Sequence, residues 1–360
     1  MRLIISFVLF VIILQSCSEP TSSSNNKSVQ QIVFSSYSGS YFNYLRDSTN
    51  IFLMNIDGTG FTNITNKLAR YDDISSSPTE KKIAFVSNLA NTTGFDARNE
   101  LYVLDLNTNE LINLSNTTSA YEFKPTFMPD GNSIVFISTK STGNYQLYRV
   151  NIDGSNLHPL NDPDEMIWDN FSLSNDSRYI LYHKRSYDFG NKFTTHIIRR
   201  NIDGTNPINL TPDFEYICSG ATFNFDNSKI YFSHAPTGIQ AALFCMNIDG
   251  SEKETIKDYS DWAIYKDMVF TPKGDKLIFI GGEFFDLFVM DINGQNTVNI
   301  TDNPWRVQFY DLSHNGKNIV YAIDEGNMLN LYITDIELSE VNLIQGTLQN
   351  NRHPRFLIYN

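Results

Sequence analysis

Along most of the chain, short apolar runs are cut by Gly, Asn and Asp about every ten residues, the spacing of a meander of short strands. The clearest run is Leu147-Tyr148-Arg149-Val150-Asn151-Ile152-Asp153-Gly154. Versions of it stand at 51–58, 101–106, 197–204, 243–250, 287–294 and 331–336, so the run occurs seven times at steps of 44 to 50 residues. A repeat of that length belongs to propeller blades or helical arrays. The β-branched and aromatic content, with Asp-Gly or Asn-Gly following directly, selects a strand that enters a tight hairpin.

A second element precedes the marked one. It is Pro129-Asp130-Gly131-Asn132-Ser133-Ile134-Val135-Phe136, with counterparts at 78–85, 175–182 and 272–279 and less regular copies at 225–232 and 314–321. This reads as a turn into a strand, Gly or Asn taking the positive φ. A further strand lies before that turn, as at 124–128 and 266–271, and another follows the hairpin, as at 62–65, 208–211 and 298–301. Four antiparallel strands per repeat make a propeller blade. The repeat begins out of phase, on a second strand at 31–36, and ends on a lone first strand at 352–359. The expected fold is therefore an all-β, seven-bladed propeller of four-stranded antiparallel blades. Its first blade is closed by the C-terminal strand, which leaves no open sheet edge.

The segment 129–136 followed by the segment 147–154 resembles the repeat of TolB-like β-propellers, and the resemblance extends over residues 29–360. It implies the propeller fold. It implies an activity less sharply, because the family includes a periplasmic partner-binding subunit, propeller domains of prolyl-peptidase-type enzymes and oligogalacturonate lyases. TolB itself has six blades and an extra N-terminal domain. This chain departs on both counts, so a TolB role is not carried over.

The N-terminal part has a different character. Residues 1–16 hold Arg2 and then an apolar run from Leu3 to Leu14, too short to span a bilayer, which reads as a secretion signal. The ending Leu14-Gln15-Ser16-Cys17 resembles the bacterial lipoprotein signal, of the kind common in Bacteroidetes-type bacteria, although Gln15 departs from the usual small residue. That resemblance implies a lipid on Cys17. Residues 17–28, rich in Ser, Asn, Thr and Pro, then form a lipidated flexible tether, and residues 29–360 the propeller. The expected location is the cell envelope, anchored to the outer membrane. A formal charge of −13 argues against nucleic acid as a partner and against adsorption to acidic lipid by charge. The other cysteines, Cys218 and Cys245, fall on the first and third strands of one blade, about 9.6 Å apart by strand spacing and beyond disulfide reach. Both are expected as free buried thiols.

Chemistry is sparse. The chain has no Gly-x-Ser-x-Gly elbow, no His-Glu-x-x-His, no phosphate-binding Gly-rich loop and no spaced Cys/His metal motif. The expectation is a monomeric binding or scaffold protein for a protein partner, peptide or glycan, with no catalytic residue, cofactor or metal. The alternative is a propeller-type polysaccharide lyase, like oligogalacturonate lyase, with a metal at the channel mouth near His183, His234 or His353. The Asn-Ile-Asp-Gly turns lack the alternating carboxylates of a calcium loop; Asp57, Asp153, Asp203 and Asp249 serve the hairpin.

Strand phase suggests where a ligand would sit. Equivalent first-strand positions are held by Asp73, Lys124, Asn170, Gly220, Asp267, Phe309 and His353, and two residues later by Ser75, Thr126, Ser172, Thr222, Val269, Asp311 and Arg355. Between them lie Ile74, Pro125, Phe171, Ala221, Met268 and Tyr310. Alternation sends the apolar row between blades and the mostly polar rows into a central channel. Aromatic and basic residues at one mouth of that channel, among them Tyr71, Trp168 and Arg306, suit a sugar or peptide. The candidate ligand residues are thus Asp73, Lys124, Asn170, Asp267, Asp311, His353 and Arg355 in the channel, with Tyr71, Trp168 and Arg306 at its mouth.

Overall fold

A computed structural model describes residues 30–37, 49–67, 69–90, 98–117, 119–140, 143–187, 193–236, 240–261, 265–302, 304–325, 329–337, 341–344 and 351–358. Cys17, the signal and the tether lie outside the described residues. Among the described residues, five four-stranded antiparallel sheets are present. One joins β1 (Gln31–Tyr37), β2 (Thr49–Asn55) and β3 (Thr62–Asn63) to β28 (Asn351–Phe356). The next holds β4 (Tyr71–Ser76), β5 (Lys82–Ser87), β6 (Glu100–Asp105) and β7 (Leu111–Asn113). It is followed by β8 (Glu122–Phe127), β9 (Ser133–Ser138), β10 (Gln146–Asn151) and β11 (His158–Pro159). Further on come β20 (Lys266–Phe270), β21 (Lys276–Gly281), β22 (Asp286–Asp291) and β23 (Val298–Asn299), then β24 (Arg306–Leu312), β25 (Asn318–Asp324), β26 (Leu329–Asp335) and β27 (Val341–Leu343).

The strands between these sheets correct the expected blade count. Seven separate four-stranded blades were anticipated, and five are found. The remainder is one eight-stranded sheet, formed by β12 (Met166–Leu173), β13 (Tyr179–Tyr187), β14 (Phe193–Asn201), β15 (Ile208–Asn209), β16 (Ile217–Phe223), β17 (Lys229–Ala235), β18 (Gln240–Asn247) and β19 (Glu254–Asp261). The join is a parallel pairing of Thr195 on β14 with Ile217 on β16. Its cause is local. The β13–β14 hairpin is long, nine residues in each arm, and brings Thr195 against the start of β16. There the Thr195 N–H donates to the Tyr216 carbonyl at 2.9 Å, and its hydroxyl donates to the Cys218 carbonyl at 2.6 Å. Thr49 makes a similar latch to Ala69 and Tyr71, but as an isolated antiparallel bridge that leaves the two sheets separate.

Closure by the C-terminal strand follows the expectation. β28 pairs antiparallel with β1, Ile32 opposite Phe356 and Ser36 opposite Asn351. Cys218 and Cys245 lie on β16 and β18, both buried and free.

Apolar side chains interdigitate between sheets. Ala84, Leu101 and Val103 meet Phe127, Ile134, Phe136, Tyr148 and Val150, for example, and similar clusters fill the other gaps. Burial on this scale is the main stabilising term. At one end, successive strand-connecting turns stack on each other: a Cβ added to Gly131, which has φ of 72°, would lie 2.0 Å from the Thr79 hydroxyl. The Gly of the Pro-Asp-Gly turn is thus required both by its backbone and by the neighbouring turn.

The inner strands carry a feature with no counterpart in the repeat pattern. On β8, Phe123 pairs with Ile137 and Thr126 with Val135, so Lys124 and Pro125 together face the single Phe136. This is a β-bulge. Similar shifts interrupt β4, β16, β20 and β28. The first bulge residue is left-handed in each: Asp73 (φ 49°), Lys124 (49°), Gly220 (62°), Asp267 (50°) and His353 (49°). Four of these five are not Gly, and such backbone strain gathers where the chain re-aims a side chain.

Candidate functional site

Each inner strand starts at the end of the molecule where the second strand of its sheet finishes, as the pairs Trp168 with His183 and Arg306 with Asp324 show. This end is the channel mouth; the Asp-Gly hairpins lie at the other. Below the mouth the inner strands pack side by side, β28 against β4 and β24, and β16 against β12 and β20.

The bulges and the residues after them staple these strands together. The Asp73 carboxylate accepts the Lys124 N–H at 3.0 Å, and the Ser75 hydroxyl accepts the Phe127 N–H at 3.3 Å. Asp311 accepts the Phe356 N–H at 2.8 Å, and Arg355 donates to the Tyr310 carbonyl at 3.4 Å. Asn170 on β12 donates to the Asp267 carboxylate on β20 at 3.3 Å. That bond bypasses β16, where Gly220 presents no side chain; a Cβ there would come within 2.5 Å of the Tyr265 carbonyl. On the other side of the channel, the His353 ring lies tilted against Phe309, with 4.0 Å between ring centroids. Its Nε2 lies 3.0 Å from Asp72 and 3.6 Å from Asp73.

Electrostatics in the channel follow from these contacts. Burial pushes Asp72 upward, but His353, Arg352 and Arg70 outweigh it and hold the carboxyl below its usual range. Asp311 goes the other way: burial raises it, and Arg355 and the Phe356 N–H only partly offset that. Tyr310, whose hydroxyl donates to the Asp267 and Ile278 carbonyls, is raised well above an ordinary tyrosine by burial.

The mouth gathers rings and cations in pairs. The Arg185 guanidinium lies 5.0 Å from the Trp168 ring and 4.8 Å from Phe193. Arg98 stands 4.9 Å over Tyr121. Arg306 and Lys266 sit 5.0 and 5.5 Å from Phe285. Tyr145, Trp168, Phe284 and Trp305 are exposed large rings at this end. Held over ring faces, the guanidinium groups present positive charge and ring surface side by side at the mouth.

The structure brings Asp73, Lys124, Asn170, Asp267, Asp311, His353 and Arg355 onto the inner strands as expected, and Trp168 and Arg306 to the mouth. Tyr71 is different: it is 2% exposed, packed in the core with Phe85. Its position beside the mouth made it look like a ligand contact, whereas it fills the gap between two sheets. The histidines do not converge. His183 Nε2 accepts the Ala221 N–H at 3.3 Å, and His234 Nε2 is 2.7 Å from the Glu215 carbonyl. Among the described residues, no group of three or more His, Cys, Asp or Glu is placed to hold a metal ion. Asp72, Phe193, Lys266 and Phe285 were not picked out from the sequence, because each becomes notable only through a partner distant in the chain.

Residues 87–257 match the family model described as PD40, TolB beta propeller domain. No curated protein sequence matches the chain. Among solved structures, TolB from Acinetobacter baumannii is 17% identical, with a TM-score of 0.54 over 91% of this chain and 66% of that one. An oligogalacturonate lyase in complex with manganese is 13% identical, with a TM-score of 0.63 over 87% of this chain and 85% of the lyase. A puromycin-hydrolyzing peptidase of Mycobacterium tuberculosis is 13% identical, with a TM-score of 0.64 over 83% of this chain and half of that one (50%). At these identities the likeness is one of fold, a TolB-like β-propeller.

Proposed function

We propose that the protein is a cell-envelope binding or scaffold propeller whose mouth and upper channel take a protein partner, a peptide or a glycan. The observation that carries this reading is the grouping of the Trp168–Arg185–Phe193, Arg98–Tyr121 and Arg306–Phe285–Lys266 sets at one end, above a channel lined by polar side chains. Rings supply stacking area at low entropic cost, and the guanidinium groups supply positive charge. A lipid on Cys17, with residues 17–28 as tether, would join the propeller at the hairpin end, where Gln31 at the start of β1 pairs with Asn55, and leave the mouth open to partners.

A glycan and peptide array probed with residues 29–360 tests the proposal. Ligands found on the array should bind Trp168→Ala and Arg306→Ala at least tenfold more weakly, about 1.4 kcal/mol. Equal binding by both variants would reject the mouth as the site.

A further inference from the structure

At the mouth, the turn between β21 and β22 carries two aromatic residues in succession, Phe284 and Phe285. Phe285 is held left-handed, with φ of 58°, a costly conformation for an aromatic residue and one that gathers at functional sites. Its carbonyl accepts the Val307 N–H of the next sheet at 3.1 Å, which ties the turn to β24. The ring is half-buried and packs on the cluster of Ile280, Leu287 and Val307 that fills the gap between the two sheets. Phe284, its neighbour in the chain, and Trp305, next to Arg306, are 49% and 42% exposed.

Two cations converge on the Phe285 ring. Lys266 Nζ, at the start of β20, and the Arg306 guanidinium, at the start of β24, lie 5.5 and 5.0 Å from its centroid, and both residues are exposed. Charges gathered this closely act together on one anion. Among the described residues, neither cation forms an ion pair or a hydrogen bond. The acids nearby leave them so. Asp324 stands opposite Arg306 across β24 and β25, where opposite charges commonly pair, yet the guanidinium turns to Phe285 instead. The buried Asp286 carboxylate is taken by Asn299 at 3.0 Å and by Thr301 at 2.9 Å. Exposed Glu283 forms no ion pair with either cation. In a chain with 40 acidic and 27 basic side chains, two cations on one ring without an acid reverse the overall charge locally.

On the reading that the mouth is the binding end, we propose that Lys266, Arg306 and the Phe285 ring form a subsite for a carboxylate of an acidic peptide segment, with Phe284 and Trp305 taking the apolar side chains next to it. The two cations offer positive charge and donors but no acceptor. A carboxylate only accepts and is matched by that set, whereas a sugar hydroxyl also needs an acceptor for its proton. The flanks point the same way, since Phe has no polar tip to meet a hydroxyl.

The test is fluorescence anisotropy of the full chain with labelled short peptides that alternate Glu and Leu, with twin peptides that carry Gln for Glu, and with a labelled polyuronate. The acidic peptides should bind, less tightly as salt rises, and the twins should bind at least tenfold more weakly. The double variant Lys266→Met with Arg306→Gln should weaken the acidic peptides at least tenfold and melt with the parent, since both groups are exposed. If the double variant binds like the parent while Trp168→Ala is weakened, the subsite is overturned and the mouth stands as the binding end. If Trp168→Ala also binds like the parent, both fall. Equal binding of the twins, no binding of the acidic peptides, or binding of the polyuronate in their place would overturn the subsite as well.

Discussion

Asp73, Lys124, Asp267 and His353 hold left-handed backbone in the middle of strands, a conformation costing on the order of 1 kcal/mol or more for a residue with a side chain. Nothing in their identity announces it. Only Gly220, at the equivalent place, carries the usual mark of such a position, so the bulges were not legible in the sequence. In the apolar row Ile74, Ala221, Met268 and Tyr310 are buried, but Phe171 is only half-buried, and His353 of the polar row is buried. Tyr71 was misread because an aromatic near a mouth and an aromatic sealing two sheets look alike until its burial is known. The bulge can be tested by comparing Asp267→Gly with Asp267→Ala, since both lose the same carboxylate. In an ordinary strand Gly is the less stable by roughly 0.5–1 kcal/mol; at a left-handed position the order reverses, and Gly should be the more stable by about 1 kcal/mol. Denaturant unfolding measures the difference, and Ala as the more stable variant would contradict the assigned backbone.

At the scale of elements, the repeat and its phase were readable because strand, turn and hairpin each have a residue signature. The closing role of β28 followed from the phase alone. What did not follow was the merging of β12–β15 with β16–β19. A pairing at the single residue Thr195 leaves no periodic trace, and the lengths of β13 and β14 that bring it about depend on where strands stop, which side-chain patterns fix poorly. The closure makes its own prediction. A chain ending before Asn351 loses the partner of β1 and the buried Phe356 and Leu357, and exposes an inner sheet edge. Loss of Phe356 burial alone costs about 3 kcal/mol or more, so the truncated chain should melt well below the parent or aggregate. An unchanged melting temperature with no aggregation would refute strand exchange as a source of stability.

At the scale of the whole molecule, the two ends carry different side chains. Asp57, Asp153, Asp203 and Asp249 lie exposed in the hairpins at one end, each held below the usual carboxyl range first by the hydroxyl and then by the N–H of a Thr or Ser two residues on. Cations stacked on rings lie at both ends, Arg178 and Arg199 over Tyr179 beside the hairpins and Arg98, Arg185, Lys266 and Arg306 at the mouth. A net charge of −13 therefore coexists with a mouth able to receive a hydroxyl-rich or acidic group. Composition revealed the charge, but only the fold separates the two ends. The most direct measurement of the binding claim is hydrogen exchange of the protein with and without a ligand drawn from the array. The account predicts slower exchange in residues 69–73, 119–124, 166–170, 265–267 and 305–311, with the hairpins at 55–59, 151–155, 201–205 and 247–251 unchanged. Protection of those hairpins, with none at the mouth, would contradict it.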